Sequence, residues 1–194
     1  MRTRSPENVV EDIRQSVAFH RRNGIPRLND VVWITDDNFH ADRMWAVALL
    51  KAITDSDLRC HFSVQARFEV GFDDELLDLM KQAGFIVVAM GIKFLEDEPF
   101  IEFNKQSSLS EIIRSIQNIR MHGTGVRGLF IVGADHHTVG VGDKIADFVN
   151  QNKIRGVLIQ SMFFIPGTPV YDAYKDRLIH ENRGKYNGNV VRFP

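Results

Sequence analysis

The sequence predicts an α/β domain of parallel strands alternating with helices, and three observations carry that reading. Extended and helical hydrophobic patterns alternate from end to end, about five strands in all. Turn and cap residues separate the segments at short intervals, with no repeat, low-complexity tract or linker. A polar or glycine-rich tripeptide closes each strand, where ligands bind in parallel α/β folds. Pattern alone leaves a doubly wound sheet and a barrel as alternatives.

The elements follow in order. Ser5-Pro6-Glu7 is a helix start, with an N-cap, a first-turn proline and an early acid. Val9, Val10, Ile13 and Val17 mark its apolar face, and Asn23-Gly24 closes it. Val31–Thr35 reads as a buried strand ending in Asp36-Asp37-Asn38, and Ala41–Ile53 returns to helical spacing. In His61–Val70, Phe62, Val64, Ala66 and Phe68 alternate with Ser63, Gln65, Arg67 and Glu69, which predicts a strand with one polar face. Asp73 caps a helix through Leu76, Leu77 and Met80 that stops at Gly84, and Phe85–Phe94 is a strand. Ser108-Leu109-Ser110-Glu111 has the form of a capping box opening a helix to His122-Gly123. Val126–Asp135 is a strand, Gly142–Asn152 a helix, and Val157–Ile165 a last strand before Pro166-Gly167-Thr168-Pro169.

Because a helix precedes the first strand, the chain is expected to begin in the middle of a repeating unit. Residues 1–170 are assigned to the α/β domain. Residues 171–194, charged and carrying a hairpin-type turn at Asn187-Gly188, are assigned to a C-terminal extension packed on it.

Composition narrows the function classes. With 194 residues, 44% hydrophobic and 25% charged, the chain has the makeup of a globular domain with a sizeable core. A net charge of −1 gives no basic field for nucleic acid. No signal peptide follows Met1, and the longest apolar run, Phe85–Ile92, is too short for a membrane span. The single cysteine, Cys60, excludes an internal disulfide framework and suits a reducing cytoplasm. His40, His61, His136 and His137 lack the spacing of a metal-ligand motif, and Gly140-Val141-Gly142 lacks the lysine of a phosphate loop.

The polar stripe Ser63, Gln65, Arg67 and Glu69 has two readings. It lines a wet cavity holding a polar ligand, or it is the solvated face of an edge strand. In the first case Arg67 suits a bidentate carboxylate contact.

Six segments occur in the order found in one family: Arg4-Ser5-Pro6-Glu7-Asn8-Val9-Val10, Asp36-Asp37-Asn38-Phe39, Gln65-Ala66-Arg67, Ala83-Gly84 through Gly91-Ile92, Phe130-Ile131-Val132-Gly133-Ala134-Asp135, and Pro166-Gly167-Thr168-Pro169-Val170-Tyr171. Together they resemble the radical S-adenosylmethionine superfamily, in its cobalamin-associated branch that includes the hopanoid-methylase type. The resemblance implies a partial (β/α) TIM-like barrel with its first strand missing. It implies S-adenosylmethionine and a 4Fe–4S cluster as parent cofactors, with cobalamin as a further parent cofactor, and a 5′-deoxyadenosyl radical used for methyl transfer to an unactivated carbon. It places cofactor-binding residues at Asp36, Asp37, Gln65, Arg67, Gly91, Lys93, Ile131, Gly133 and Asp135; it names no catalytic residue and no metal ligand.

Two departures accompany it. The family holds its cluster on a CxxxCxxC loop after the first strand, and this chain has one cysteine, so no cluster is expected here. Where the family reads Gly-Ile-Glu-Ser, this chain has Gly91-Ile92-Lys93-Phe94, which reverses a charge. The expected function is therefore part of a radical enzyme, inactive by itself. The alternatives are a non-catalytic relic or binding module with the same barrel, and an unrelated metal-dependent barrel hydrolase. Partners are a small-molecule cofactor and substrate, with self-association through the strand edge left unpaired by the missing first strand.

Overall fold

A computed structural model describes residues 3–24, 31–93, 95, 108–135 and 137–177. Helix α1 (Pro6–Arg22) starts where Ser5 Oγ accepts from Asn8 N–H at 3.3 Å, and it ends at Asn23. Strand β1 (Val31–Ile34) leads to α2 (Arg43–Thr54), whose first turn is capped by Asp42 accepting from Trp45 N–H, two residues beyond the expected start. Strand β2 (His61–Ala66) is followed by a 3-10 turn, Phe68–Phe72, and α3 (Asp74–Gln82), capped by Asp73. Then come β3 (Phe85–Lys93), α4 (Leu109–Met121), β4 (Gly125–Val132), α5 (Val141–Gln151), β5 (Gly156–Ser161) and α6 (Pro169–Tyr174).

The five strands are parallel and lie in the order β1-β2-β3-β4-β5, a partial β/α barrel. The alternative of a doubly wound sheet falls on this order, because such sheets reverse direction from an internal strand. Val31 to Ile34 pair with His61 to Val64. Between β2 and β3 the register slips once, Phe62 facing Phe85 and Ser63 facing Val87. One extra residue on β3 there sharpens the local twist.

The chain divides into two compact units, Met1–Gly91 with Ser110–Arg127, and Ile92–Leu109 with Gly128–Pro194. The first unit is organised around aromatic rings: Phe85 lies 5.1 Å from Phe62 and 5.5 Å from Phe39, centre to centre. All three are essentially water-free, as are Leu49, Leu50, Leu76, Leu77 and Met80 from α2 and α3. Each such side chain contributes about 1.5–3 kcal/mol on burial. In the second unit Phe130 of β4 meets Phe148 of α5 edge to face at 6.2 Å.

Several sequence expectations are corrected. The strand predicted to Val70 ends at Ala66, because tertiary bonds take over its backbone: Phe39 N–H donates to Gln65 O and Arg67 N–H to Asn38 Oδ1. Past that point the alternation of Phe68, Glu69 and Val70 is helical-turn packing, with Phe68 and Phe72 edge to face at 6.1 Å. The strand predicted to Asp135 ends at Val132, since Gly133 turns into the left-handed region at φ +88°. The strand predicted to Ile165 ends at Ser161. The predicted Asn187-Gly188 turn and Phe94 lie outside the described residues.

Candidate functional site

In the first unit the carboxyl ends of β1 and β2 are bound together. Asp36 Oδ1 accepts from Asn38 N–H at 3.3 Å, folding Asp36-Asp37-Asn38 into a tight turn. From that turn Asn38 holds the Arg67 backbone, and the Gln65 carboxamide donates to Asp37 O at 3.4 Å. Three of the sequence-predicted residues, Asp36, Asp37 and Gln65, are thus brought together, with Arg67 one residue beyond the end of β2. Its guanidinium is exposed and pairs with Glu69 at 2.8 Å. Gly91, on β3, belongs to the same unit.

β2 is hydrogen-bonded to β1 on one side and β3 on the other, so the edge-strand reading of its polar face is wrong. Ser63 is buried at 4% exposure and Gln65 is half-buried. Arg67 and Glu69 do not share that face, because they lie past the strand. Three buried polar atoms in this unit have no hydrogen-bond partner among the described residues: Ser63 Oγ, His40 Nδ1 and Glu69 Oε2. Burial holds the His40 imidazole below its ordinary pKa, with Glu69 opposing and Arg67 reinforcing that shift. Native proteins pair nearly all such atoms, so His40 Nδ1 and Glu69 Oε2, past the ends of β1 and β2, call for a polar ligand or water. Glu69 was legible as part of the polar stripe; the burial of His40 had no signal in the sequence.

The other predicted residues belong to the second unit. Lys93 closes β3 at φ +65°, a region disfavoured for a long side chain. Ile131 is on β4, and both line a cavity of about 360 Å3 at the carboxyl ends of β4 and β5. Gly133 N–H and Ala134 N–H both donate to His137 Nδ1, at 3.0 and 3.3 Å, fixing the turn after β4. Asp135 receives a bidentate bond from Arg177, at 2.7 and 2.8 Å, and is exposed. Sequence reasoning missed Gln160, Ser161 and Met162 as cavity residues because it ran β5 on to Ile165. Among the described residues no three His, Cys, Asp or Glu side chains gather as a metal site would need, and no helix is long and apolar enough to cross a membrane.

No protein-family profile matches the chain. In sequence it is 29% identical over 168 residues to an uncharacterized methyltransferase of Synechocystis, covering 82% of this chain and 31% of that protein. It is 24% identical over 193 residues to the hopanoid C-2 methylase of Rhodopseudomonas palustris, covering 96% of this chain and 35% of that one. In structure it resembles the radical S-adenosylmethionine methyltransferase TsrM of Kitasatospora setae, solved with cobalamin and a 4Fe–4S cluster bound. The TM-score is 0.58 at 18% identity, over 76% of this chain and 28% of the other. The chain shares a partial β/α barrel fold with that enzyme and has methyltransferase relatives in sequence. It spans about a third of the length of the curated relatives it matches. Its residues fit the two expected groups differently. The orphan polar set in the first unit suits a polar organic cofactor, whereas one cysteine cannot supply the three thiolates of a cluster.

Proposed function

We propose that these residues form the S-adenosylmethionine-binding part of a radical-type methyltransferase, with the cluster ligands supplied by residues outside this sequence. The observation that supports the reading most is the pair of buried, unpartnered atoms His40 Nδ1 and Glu69 Oε2, on the segments that follow β1 and β2. S-adenosylmethionine, when bound, supplies an activated methyl group on a sulfonium. The chain's own side chains bind and orient it. Asp36 and Asp37 present carboxylates suited to the methionine ammonium, and the Gln65 carboxamide offers a neutral donor and acceptor. Arg67 offers a fork for the carboxylate, for which it exchanges Glu69. Gly91, in the same unit, takes the cofactor role that the family resemblance implies.

The test is calorimetric titration of the purified chain with S-adenosylmethionine and with S-adenosylhomocysteine. Binding of either, weakened tenfold or more by Arg67→Ala, supports the reading. No heat and no melting-temperature shift with either compound would favour a barrel that has lost cofactor binding. Anaerobic reconstitution with iron and sulfide should leave no iron–sulfur absorbance; a stable cluster on this chain would overturn the assignment of its ligands elsewhere.

A further inference from the structure

The first unit carries a cavity of about 330 Å3, within the range of small-molecule sites, at the opposite end of the strands from the Asp36–Asn38 turn. The second half of α1 forms one wall and the loop joining α2 to β2 forms the other. Arg14, Val17, Ala18 and Arg21 stand at i, i+3, i+4 and i+7, so they share one face of α1. Val17, Ala18 and Leu58 make a half-buried aliphatic floor.

The walls are fixed in place. Ser56 Oγ donates to Ile53 O at 2.6 Å and accepts from Leu58 N–H at 3.3 Å, which sets the loop. Arg14 ties that loop to the helix, donating through Nε and Nη2 to Asp57 Oδ1 at 3.3 and 3.0 Å. Its Nη1 donates to Glu11 Oε2 at 2.6 Å, so Arg14 is matched by two carboxylates.

Three more arginines line the same cavity: Arg21, Arg22 and Arg59. Arg22 Nε donates to Ala18 O and Arg59 Nη1 to Leu58 O, both at 3.4 Å, so backbone carbonyls orient two of them. Four arginines against Asp57 and Glu11 leave the site two positive charges in excess. Residues 25–30, which follow α1, contain one arginine and one aspartate and add no net charge. The negative end of the α1 dipole accounts for cations in its last turn but not for Arg59, which another segment brings in. The amino ends of barrel strands ordinarily serve stability, and gathered like charges work against it.

We propose that this cavity binds the diphosphate group of a small molecule. Each guanidinium fork pairs with phosphate oxygens two at a time, and two excess charges suit a polyanion better than a single carboxylate. The aliphatic floor takes part of the organic body. This site shares no residue with the proposed cofactor site, and S-adenosylmethionine carries no phosphate, so its ligand is a separate one.

Inorganic diphosphate and ADP are the probes, titrated calorimetrically into the purified chain at about physiological salt so that diffuse surface attraction is screened. Both should saturate a single site. Arg21→Gln and Arg59→Gln should each weaken diphosphate about tenfold, and Arg59→Lys should recover only part of that loss because lysine lacks the fork. Diphosphate should raise the melting temperature of the parent but not of the Arg21→Gln/Arg59→Gln double variant. Lys51→Gln, at an exposed basic residue outside the cavity, should change nothing. No saturable heat with either probe, or an equal loss with Lys51→Gln, would overturn the proposal. Cosedimentation with phosphatidylserine vesicles without diphosphate binding would also overturn it, assigning the arginines to a lipid surface.

Discussion

Replacing Gly71 with alanine tests how helix α4 is seated in the first unit. A methyl placed on Gly71 would stand 2.1 Å from Ser115 Oγ and 2.7 Å from both Ser115 Cβ and Cα. The Oγ could rotate away, but Cα belongs to the helix backbone. Reaching the 3.4 Å at which ordinary contact begins requires α4 to retreat by about 0.7 Å. Overpacking of that kind costs about 1–3 kcal/mol. The retreat also loosens two bonds that bring α4 to the 3-10 turn, Ser115 Oγ to Phe68 O at 2.6 Å and Asn118 Nδ2 to Gly71 O at 2.8 Å. Losing one of them adds about 1 kcal/mol, so Gly71→Ala should destabilise the chain by about 2–4 kcal/mol. Urea unfolding followed by circular dichroism measures this as a lower midpoint at unchanged slope. Gly142→Ala is the control, because nothing lies within 4 Å of its added methyl and it sits in α5. It should stabilise by about 0.5–1 kcal/mol through the lower entropy of the unfolded chain. A Gly71→Ala midpoint within experimental error of the parent would refute the close approach of α4 to the turn.

Three further outcomes are expected. The Arg43 guanidinium, bonded to Asp73 and to Glu75 at 2.6 Å, holds the Asp73 carboxyl below its ordinary pKa. The resulting stability is present above the ordinary carboxylate range and is lost as pH falls through the lowered value, so Arg43→Gln should move the acid-unfolding midpoint to higher pH. Burial favours neutral His40, so the folded chain takes up fewer protons than the unfolded one as pH falls below about 6.5. Stability should decline there, and His40→Gln should flatten the decline; a parent profile already flat in that window would count against the burial. At β1, the first strand of the sheet order, Val31 and Trp33 are exposed at 41% and 40%. We expect concentration-dependent association through that edge, removed by Trp33→Lys and measured by sedimentation velocity.

Local grammar was legible in the residues alone. Ser5 and Asp73 cap helices because their side chains accept the first-turn N–H groups whatever the rest of the chain does, whereas the start of α2 was read two residues early, at Ala41, and its cap Asp42 was not read at all. The alternation of strands and helices followed from hydrophobic period, and the family resemblance selected the barrel over the doubly wound sheet. The ends of β2, β4 and β5 were decided by tertiary structure. At each, a residue with strand-like chemistry was claimed by a bond from elsewhere: Gln65 O by Phe39 N–H, Gly133 N–H by His137, Met162 N–H by Val132 O. The candidate sites divide in the same way. Asp36, Asp37, Gln65 and Lys93 were legible as polar residues at strand ends. The buried atoms His40 Nδ1, Ser63 Oγ and Glu69 Oε2, without a partner among the described residues, and the cavity that Lys93 lines, required the burial and close packing that only the folded chain imposes.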